Sequence, residues 1–257
     1  MPSSHVTVGS GAHKVLALHG WFGSAHGWGA LPDYLDTSAY TWVFPDLRGY
    51  GGRRGDDGEF TMAEAAADAR ALADDLGWDR FSLVGHSMSG QAVQHVLLLA
   101  PDRVRRLIGL NPVPATGVPF DDDGWALFSG AAASRDNRFA IINLTTGGRL
   151  PAAFVNHIVQ HSLDHCETAA FGAYLESWAK TDFSGQVAAS QQAGPPAAVK
   201  VIVGEHDPAL SAEVMKQTWL QFFPRAELEI IPNAGHYPMF ETPAALAASV
   251  EEFLGRG

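Results

Sequence analysis

Short apolar and β-branched runs alternate along this chain with longer stretches of helical spacing. Val15–Leu18, Thr41–Phe44, Phe81–Val84, Arg106–Leu110, Val199–Val203 and Leu228–Ile231 read as strands. Most are apolar on both faces, as strands of a parallel sheet covered by helices must be. Between them, Thr61–Leu76, Met88–Ala100, Ser211–Phe223 and Thr242–Leu254 repeat apolar residues at helical intervals. Thr61 and Thr242 are N-cap candidates, the first with Glu64 three residues on in capping-box position. The alternation predicts an α/β fold with right-handed crossovers.

One interval breaks the rhythm. Between about Thr116 and Gly194 no strand pattern occurs, and four helical pieces follow one another over Asp121–Ser134, Arg135–Leu144, Pro151–His165 and Glu167–Lys180. Ala193-Gly194-Pro195-Pro196-Ala197 then resets the chain before the next strand. The expected organisation is an α/β core over residues 1–115 and 195–257, interrupted by a helical segment over 116–194.

Composition narrows the partners. Of 257 residues 46% are apolar and 18% charged, the balance of a folded chain. The net charge of −11, with four lysines, argues against nucleic acid and anionic membrane surfaces, which need a positive face. A small neutral molecule is the easier partner. Cys166 is the single cysteine, so an intrachain disulfide and a cysteine-based zinc site are excluded. The N-terminal Met-Pro-Ser-Ser-His-Val lacks the features of a signal peptide, and no stretch approaches the roughly 18 apolar residues that span a bilayer. A cytoplasmic location is the expectation; oligomeric state is not legible.

Reactive groups sit at strand ends. Phe81–Val84 runs into Gly85-His86-Ser87-Met88-Ser89-Gly90, a small-residue turn that lifts a hydroxyl between a strand and a helix N-terminus. Val199–Val203 runs into Gly204-Glu205-His206-Asp207, and Leu228–Ile231 into Asn233-Ala234-Gly235-His236. The carboxyl ends of parallel strands share one edge, where ligands bind. Ser87, Asp207 and His236 are therefore expected together. A neutral serine is a weak nucleophile, so an imidazole must take its proton and a carboxylate must orient that imidazole. Alone, Ser87 also reads as an N-cap, and Glu205 is a rival acid.

These motifs resemble those of the α/β-hydrolase superfamily, over nearly the whole chain. His19-Gly20-Trp21-Phe22-Gly23 is similar to the family's oxyanion loop and Pro45-Asp46-Leu47-Arg48-Gly49-Tyr50-Gly51 to its Pro-Asp-X-Arg-Gly-X-Gly turn. The elbow, acid loop and histidine loop follow in the family's order. The elbow departs from Gly-X-Ser-X-Gly at Ser89, which replaces the second glycine. The resemblance implies a mostly parallel sheet, here of about seven strands because few residues precede Val15, with a helical lid after the family's sixth strand. It implies Ser87, His236 and Asp207 as a catalytic triad, the acid at the Gly-X-X-Asp position, and the N–H groups of Trp21 and Met88 as the oxyanion hole. Some relatives take the acid from the preceding strand end, where this chain offers the amide of Asn111. No cofactor and no metal are expected.

Other groups take plainer readings. His19, Asp46 and Arg48 read as loop-ordering residues, and His86 as packing beside the elbow. His157, His161 and His165 recur every four residues, but the outer pair lies about 12 Å apart along a helix, too far for one zinc ion. Asp121-Asp122-Asp123 suits a helix N-terminus. Trp125, Phe128, Phe171 and Trp178 pack the insertion, and Phe22, Trp125, Phe128, Trp178 and Tyr237 are the expected pocket lining. The function expected is a lidded serine hydrolase acting on a small to medium apolar or aromatic ester or lactone through an acyl-enzyme. Serine at the elbow argues against dehalogenase and epoxide hydrolase chemistry, for which the resemblance implies aspartate. A C–C bond hydrolase, amidase or thioesterase would use the same triad, and a small-molecule receptor would keep the scaffold without turnover.

Overall fold

The computed structural model describes residues 4–192 and 197–256. The Ala193–Pro196 break expected between insertion and core lies outside the described residues, as do Met1–Ser3 and Gly257. Seven strands form one sheet: β1 (His5–Val8), β2 (His13–Leu18), β3 (Tyr40–Pro45), β4 (Phe81–His86), β5 (Val104–Leu110), β6 (Ala198–Gly204) and β7 (Glu227–Ile231). Their order is β1-β3-β2-β4-β5-β6-β7, with β1 antiparallel to β3 and every other pairing parallel. Six strands fall where the hydrophobic pattern put them. The seventh, β1, alternates half-buried and exposed positions on the sheet edge, so its pattern in the sequence is weak.

The central strands are apolar because both faces are covered. Val15–Leu18 and Phe81–Val84 are buried throughout. Helices α1 (Met62–Asp75) and α2 (Ser89–Leu99) fill the crossovers around β4. Thr61 caps α1 as expected, its hydroxyl accepting from the Glu64 N–H at 3.1 Å. The Glu64 carboxylate reaches back to the N–H of Phe60 at 2.9 Å.

Among the described residues, five helices separate β5 from β6: α3 (Asp122–Gly130), α4 (Arg135–Thr145), α5 (Ala152–His165), α6 (Thr168–Lys180) and α7 (Ser184–Gln192). The pattern located the first four. Helix α7 escaped it because Val187 is its single buried residue, which leaves no apolar stripe to read. Asp121 caps α3, accepting from the Gly124 N–H at 2.8 Å.

Two helical readings need correction in the C-terminal part. Ser211–Phe223 is broken at Thr218 into α8 (Ala212–Gln217) and α9 (Trp219–Phe222). Thr242 separates α10 (Pro238–Glu241) from α11 (Pro243–Gly255) and makes no side-chain cap; its hydroxyl is buried without a partner among the described residues. Prolines at the starts of α10 and α11 supply the fixed φ instead. Among the described residues, no helix is long and apolar enough to cross a membrane.

The insert is knitted around a buried cation. Arg138 on α4 is 1% exposed, donates to the carbonyls of Ala131 and Ala132 and to Ser162 Oγ, and lies 3.9 Å over the Phe171 ring. Burial pulls its guanidinium below the ordinary arginine value. Removing it takes the donor from the Ala131 and Ala132 carbonyls, while Ser162 Oγ keeps its bond to the Val159 carbonyl. Arg138→Met is expected to lower unfolding stability by about 3 kcal/mol in urea denaturation.

Candidate active site

Strand register decides what meets at the sheet's carboxyl edge. Leu18 pairs with Gly85, His86 with Leu110, Leu110 with Ile202, and Gly204 with Ile231. The loops after β2, β4, β5, β6 and β7 therefore leave the sheet at one level. Four of them supply Trp21, Ser87, Asp207 and His236, and the loop after β5 begins with Asn111.

Ser87 sits between β4 and α2 at φ 54°, a left-handed conformation costing about 1–3 kcal/mol in a non-glycine residue. The backbone around it forces the turn: Ser87 N–H donates to Leu110 O at 3.0 Å, and its carbonyl accepts from Gly90 and Val113 at 2.8 and 2.9 Å. A Cβ on Gly85 would stand 2.4 Å from the Ser89 carbonyl, and one on Gly90 2.5 Å from the Pro112 side chain. Glycine is required at both positions. At position 89 the family's glycine is replaced without clash, and the Ser89 hydroxyl donates to the His19 carbonyl at 2.6 Å. It ties the elbow to the loop that carries Trp21.

A continuous hydrogen-bonded line runs from the elbow inward. Ser87 Oγ lies 2.9 Å from His236 Nε2, and His236 Nδ1 lies 2.6 Å from Asp207 Oδ2. A carboxylate only accepts, so Nδ1 carries the proton and Nε2 is free to accept from the serine. Asp207 is 2% exposed. Its Oδ1 accepts from the Ala209 and Leu210 N–H groups, and its Oδ2 also from Asn111 Nδ2 at 2.8 Å. Burial alone would push this carboxyl up; His236 and the donated hydrogen bonds outweigh it and hold the carboxyl below its ordinary range. Glu205, the rival acid, turns to the Asn233 N–H.

The neighbours order the loops. His19 Nδ1–H donates to Gly20 O at 2.9 Å while its Nε2 accepts from the Leu47 N–H. Asp46 accepts from the N–H groups of Ala25 and Gly52, and Arg48 pairs with Asp68 and Glu64. His86 Nε2–H donates to the carbonyl of His236 at 2.8 Å. Burial pulls the His86 ring down to about 3, so it stays neutral. This contact was missed in the sequence, where His86 reads as packing.

A cavity of about 80 Å³ opens beside the line. Ser87, His236, Trp21, Phe22, Phe128, Trp178 and Tyr237 line it, with Val113, Val118, Phe120, Ile141, Thr145, Ala209 and Leu210. None of these is charged. Trp125 is not in the lining: the Lys180 ammonium lies 3.9 Å over its ring. The Trp21 ring stacks on Phe171 at 4.0 Å, its indole N–H donates to Phe171 O, and its carbonyl accepts from Tyr50 OH. Among the described residues, no protein acceptor meets the backbone N–H of Trp21 or Met88.

Of the histidine stripe, His161 joins α5 to the core through Ser24 Oγ at 3.0 Å and stacks on His165. Among the described residues, no group of three or more His, Cys, Asp or Glu is disposed to hold a metal ion.

The alpha/beta hydrolase family model matches residues 15–249, and the chain belongs to that family. It is similar to a fluoroacetate dehalogenase of a Burkholderia species, 36% identical over 120 residues, 45% of this chain and 39% of the relative. The chain thus spans about two fifths of that relative's length. It also resembles epoxide hydrolase A of Mycobacterium tuberculosis, 25% identical over 95% of this chain and 91% of the other. A hydrolase of known structure from Oleispira antarctica has the same fold, with a TM-score of 0.85 at 16% identity over 100% and 96% of the two chains.

Burial leaves several histidines neutral in the fold: His161, His13 and His95 titrate near 4 and His86 near 3. The unfolded chain binds protons at these groups below about 6.5, so folding stability is complete above that pH and is lost as pH falls toward 4. Melting temperature followed from pH 8 to 4 is expected to fall mainly below 6.5, and His161→Gln to flatten that slope.

Proposed function

We propose that this protein is a serine hydrolase that cleaves a short, uncharged apolar ester or lactone through an acyl-enzyme. The observation that carries the reading is the unbroken line from Ser87 through His236 to a buried, ionised Asp207 beside an apolar cavity. As Ser87 Oγ attacks the carbonyl, its proton passes to His236 Nε2, and Asp207 stabilises the imidazolium that forms. The N–H groups of Trp21 and Met88 stabilise the oxyanion, one such donor being worth roughly 100- to 1,000-fold in rate. His236 then returns the proton to the leaving group; it next takes a proton from water as that water attacks the acyl carbonyl, and passes it to Ser87 Oγ as the bond to Ser87 breaks and the acid leaves.

The insert acts as a lid over residues 116–194. Phe120, Phe128, Ile141 and Trp178 come from it to the cavity, and the core supplies Trp21, Phe22 and Tyr237. A lining without charge excludes a carboxylate or ammonium near the acyl group, since a buried unpaired charge is costly. An apolar cavity of about 150 Å³ holds benzene, so about 80 Å³ suits a short acyl chain. Serine at the elbow favours this chemistry over that named for the dehalogenase and epoxide hydrolase relatives.

Two results test the reading. Ser87→Ala is expected to reduce p-nitrophenyl acetate hydrolysis by at least 1,000-fold, on the order of the loss of a triad member, with unchanged melting. In wild type, kcat/KM for p-nitrophenyl esters is expected to fall steeply from butyrate to octanoate. Wild-type turnover by Ser87→Ala would rule out the nucleophile. Ligand binding without turnover would favour a receptor.

A further inference from the structure

The main chain of His236 is held from every side, and half of that hold comes from the insert. Glu241, at the end of α10, is the centre of it. Its side chain is 1% exposed. Oε1 accepts from the Tyr237 N–H at 3.0 Å and Oε2 from the Gly235 N–H at 2.8 Å, the amides on either side of His236. The counter-charge is Arg149, from the loop between α4 and α5, whose Nη2 meets Glu241 Oε2 and also donates to the Asn233 carbonyl at 2.9 Å. The His236 N–H itself donates to the Thr145 carbonyl at 3.1 Å, at the C-terminal end of α4. The fourth contact, from His86 to the His236 carbonyl, comes, like Glu241, from the core.

We propose that Arg149 and Glu241 form a positioning pair that makes the alignment of His236 depend on the seating of the insert. The inference rests on the hydrolase reading above for its effect on rate. A buried carboxylate is tolerated only while it is paired and hydrogen-bonded. Without Arg149 the Glu241 carboxylate loses its counter-charge and turns toward water, releasing amides that flank His236. With Glu241→Gln, the side-chain NH2 of the amide faces one of the two N–H groups and can accept from neither through that nitrogen. Either change loosens the loop on which the His236 imidazole rides, while Ser87, Asp207 and the cavity lining outside that loop stay in place. A displacement of about 1 Å costs up to about 100-fold in rate. A bridge that merely glued the insert to the core would change melting and leave kcat alone.

The test compares wild type, Arg149→Met, Arg149→Lys, Glu241→Gln and the Arg149→Met/Glu241→Gln double variant as full chains, well below their melting temperatures. The readouts are p-nitrophenyl acetate kinetics and deuterium exchange of the 233–241 segment. Arg149→Met and Glu241→Gln are expected to lower kcat about 10- to 100-fold with KM within about twofold, and to speed exchange in that segment with the sheet unchanged. Arg149→Lys keeps the charge and is expected to recover most of kcat; the double variant is expected to be no worse than the singles, as for one coupled unit. Lowered melting with wild-type kcat and wild-type exchange would overturn the pair. A wild-type chain that turns over no ester, with exchange still accelerated in both single variants, would remove the hydrolase reading and leave the tether standing.

Discussion

The left-handed backbone at Ser87 is the constraint on which the rest of this molecule is arranged. A strand cannot turn directly into a helix unless the crossing is tight, and here Gly85 lies against the Ser89 carbonyl and Gly90 against Pro112. The strain at φ 54° is held by three backbone hydrogen bonds to Leu110, Gly90 and Val113. The same crossing places the hydroxyl at the edge where β6 and β7 release Asp207 and His236. A relaxed turn would leave Ser87 as an ordinary cap of α2.

Around this point the polar groups are arranged in tiers. Ser87, His236 and Asp207 form the inner line, and a second set of polar groups fixes it. Asn111 and two backbone amides hold Asp207. His86, Thr145 and Glu241 fix the main chain at His236. Ser89 and Tyr50 hold the loop of Trp21. Buried polar groups of this kind are costly unless hydrogen-bonded, and the loop residues named here bury polar side chains against such partners.

The fold was legible where burial leaves a clear signature in the sequence. Six strands showed as short apolar or β-branched runs, most of them apolar on both faces, and the elbow showed because its small residues admit few conformations. Helix α7 and strand β1 did not, since neither has a strong apolar face. Ser87, Asp207 and His236 were legible as strand-end residues in the family's order. Asn111 was noticed only as a missing acid, yet it is a donor to the acid that is present. Glu241 lies five residues after His236, and the helical turn begun by Pro238 returns its carboxylate to the Tyr237 N–H; that spacing was readable. Arg149 was not, because a contact across 92 residues leaves no local trace. Trp125 illustrates the converse: an aromatic in the right helix whose ring is taken by Lys180.

In the proposed reaction Ser87 Oγ forms a covalent bond to the acyl group. Rapid acid quench of the chain with p-nitrophenyl acetate, followed by peptide mass spectrometry, tests it most directly. One acetyl group is expected on the peptide containing Ser87, formed within the first turnover and absent in Ser87→Ala. Hydrolysis with no acyl adduct at Ser87, or an adduct on another residue, would contradict it.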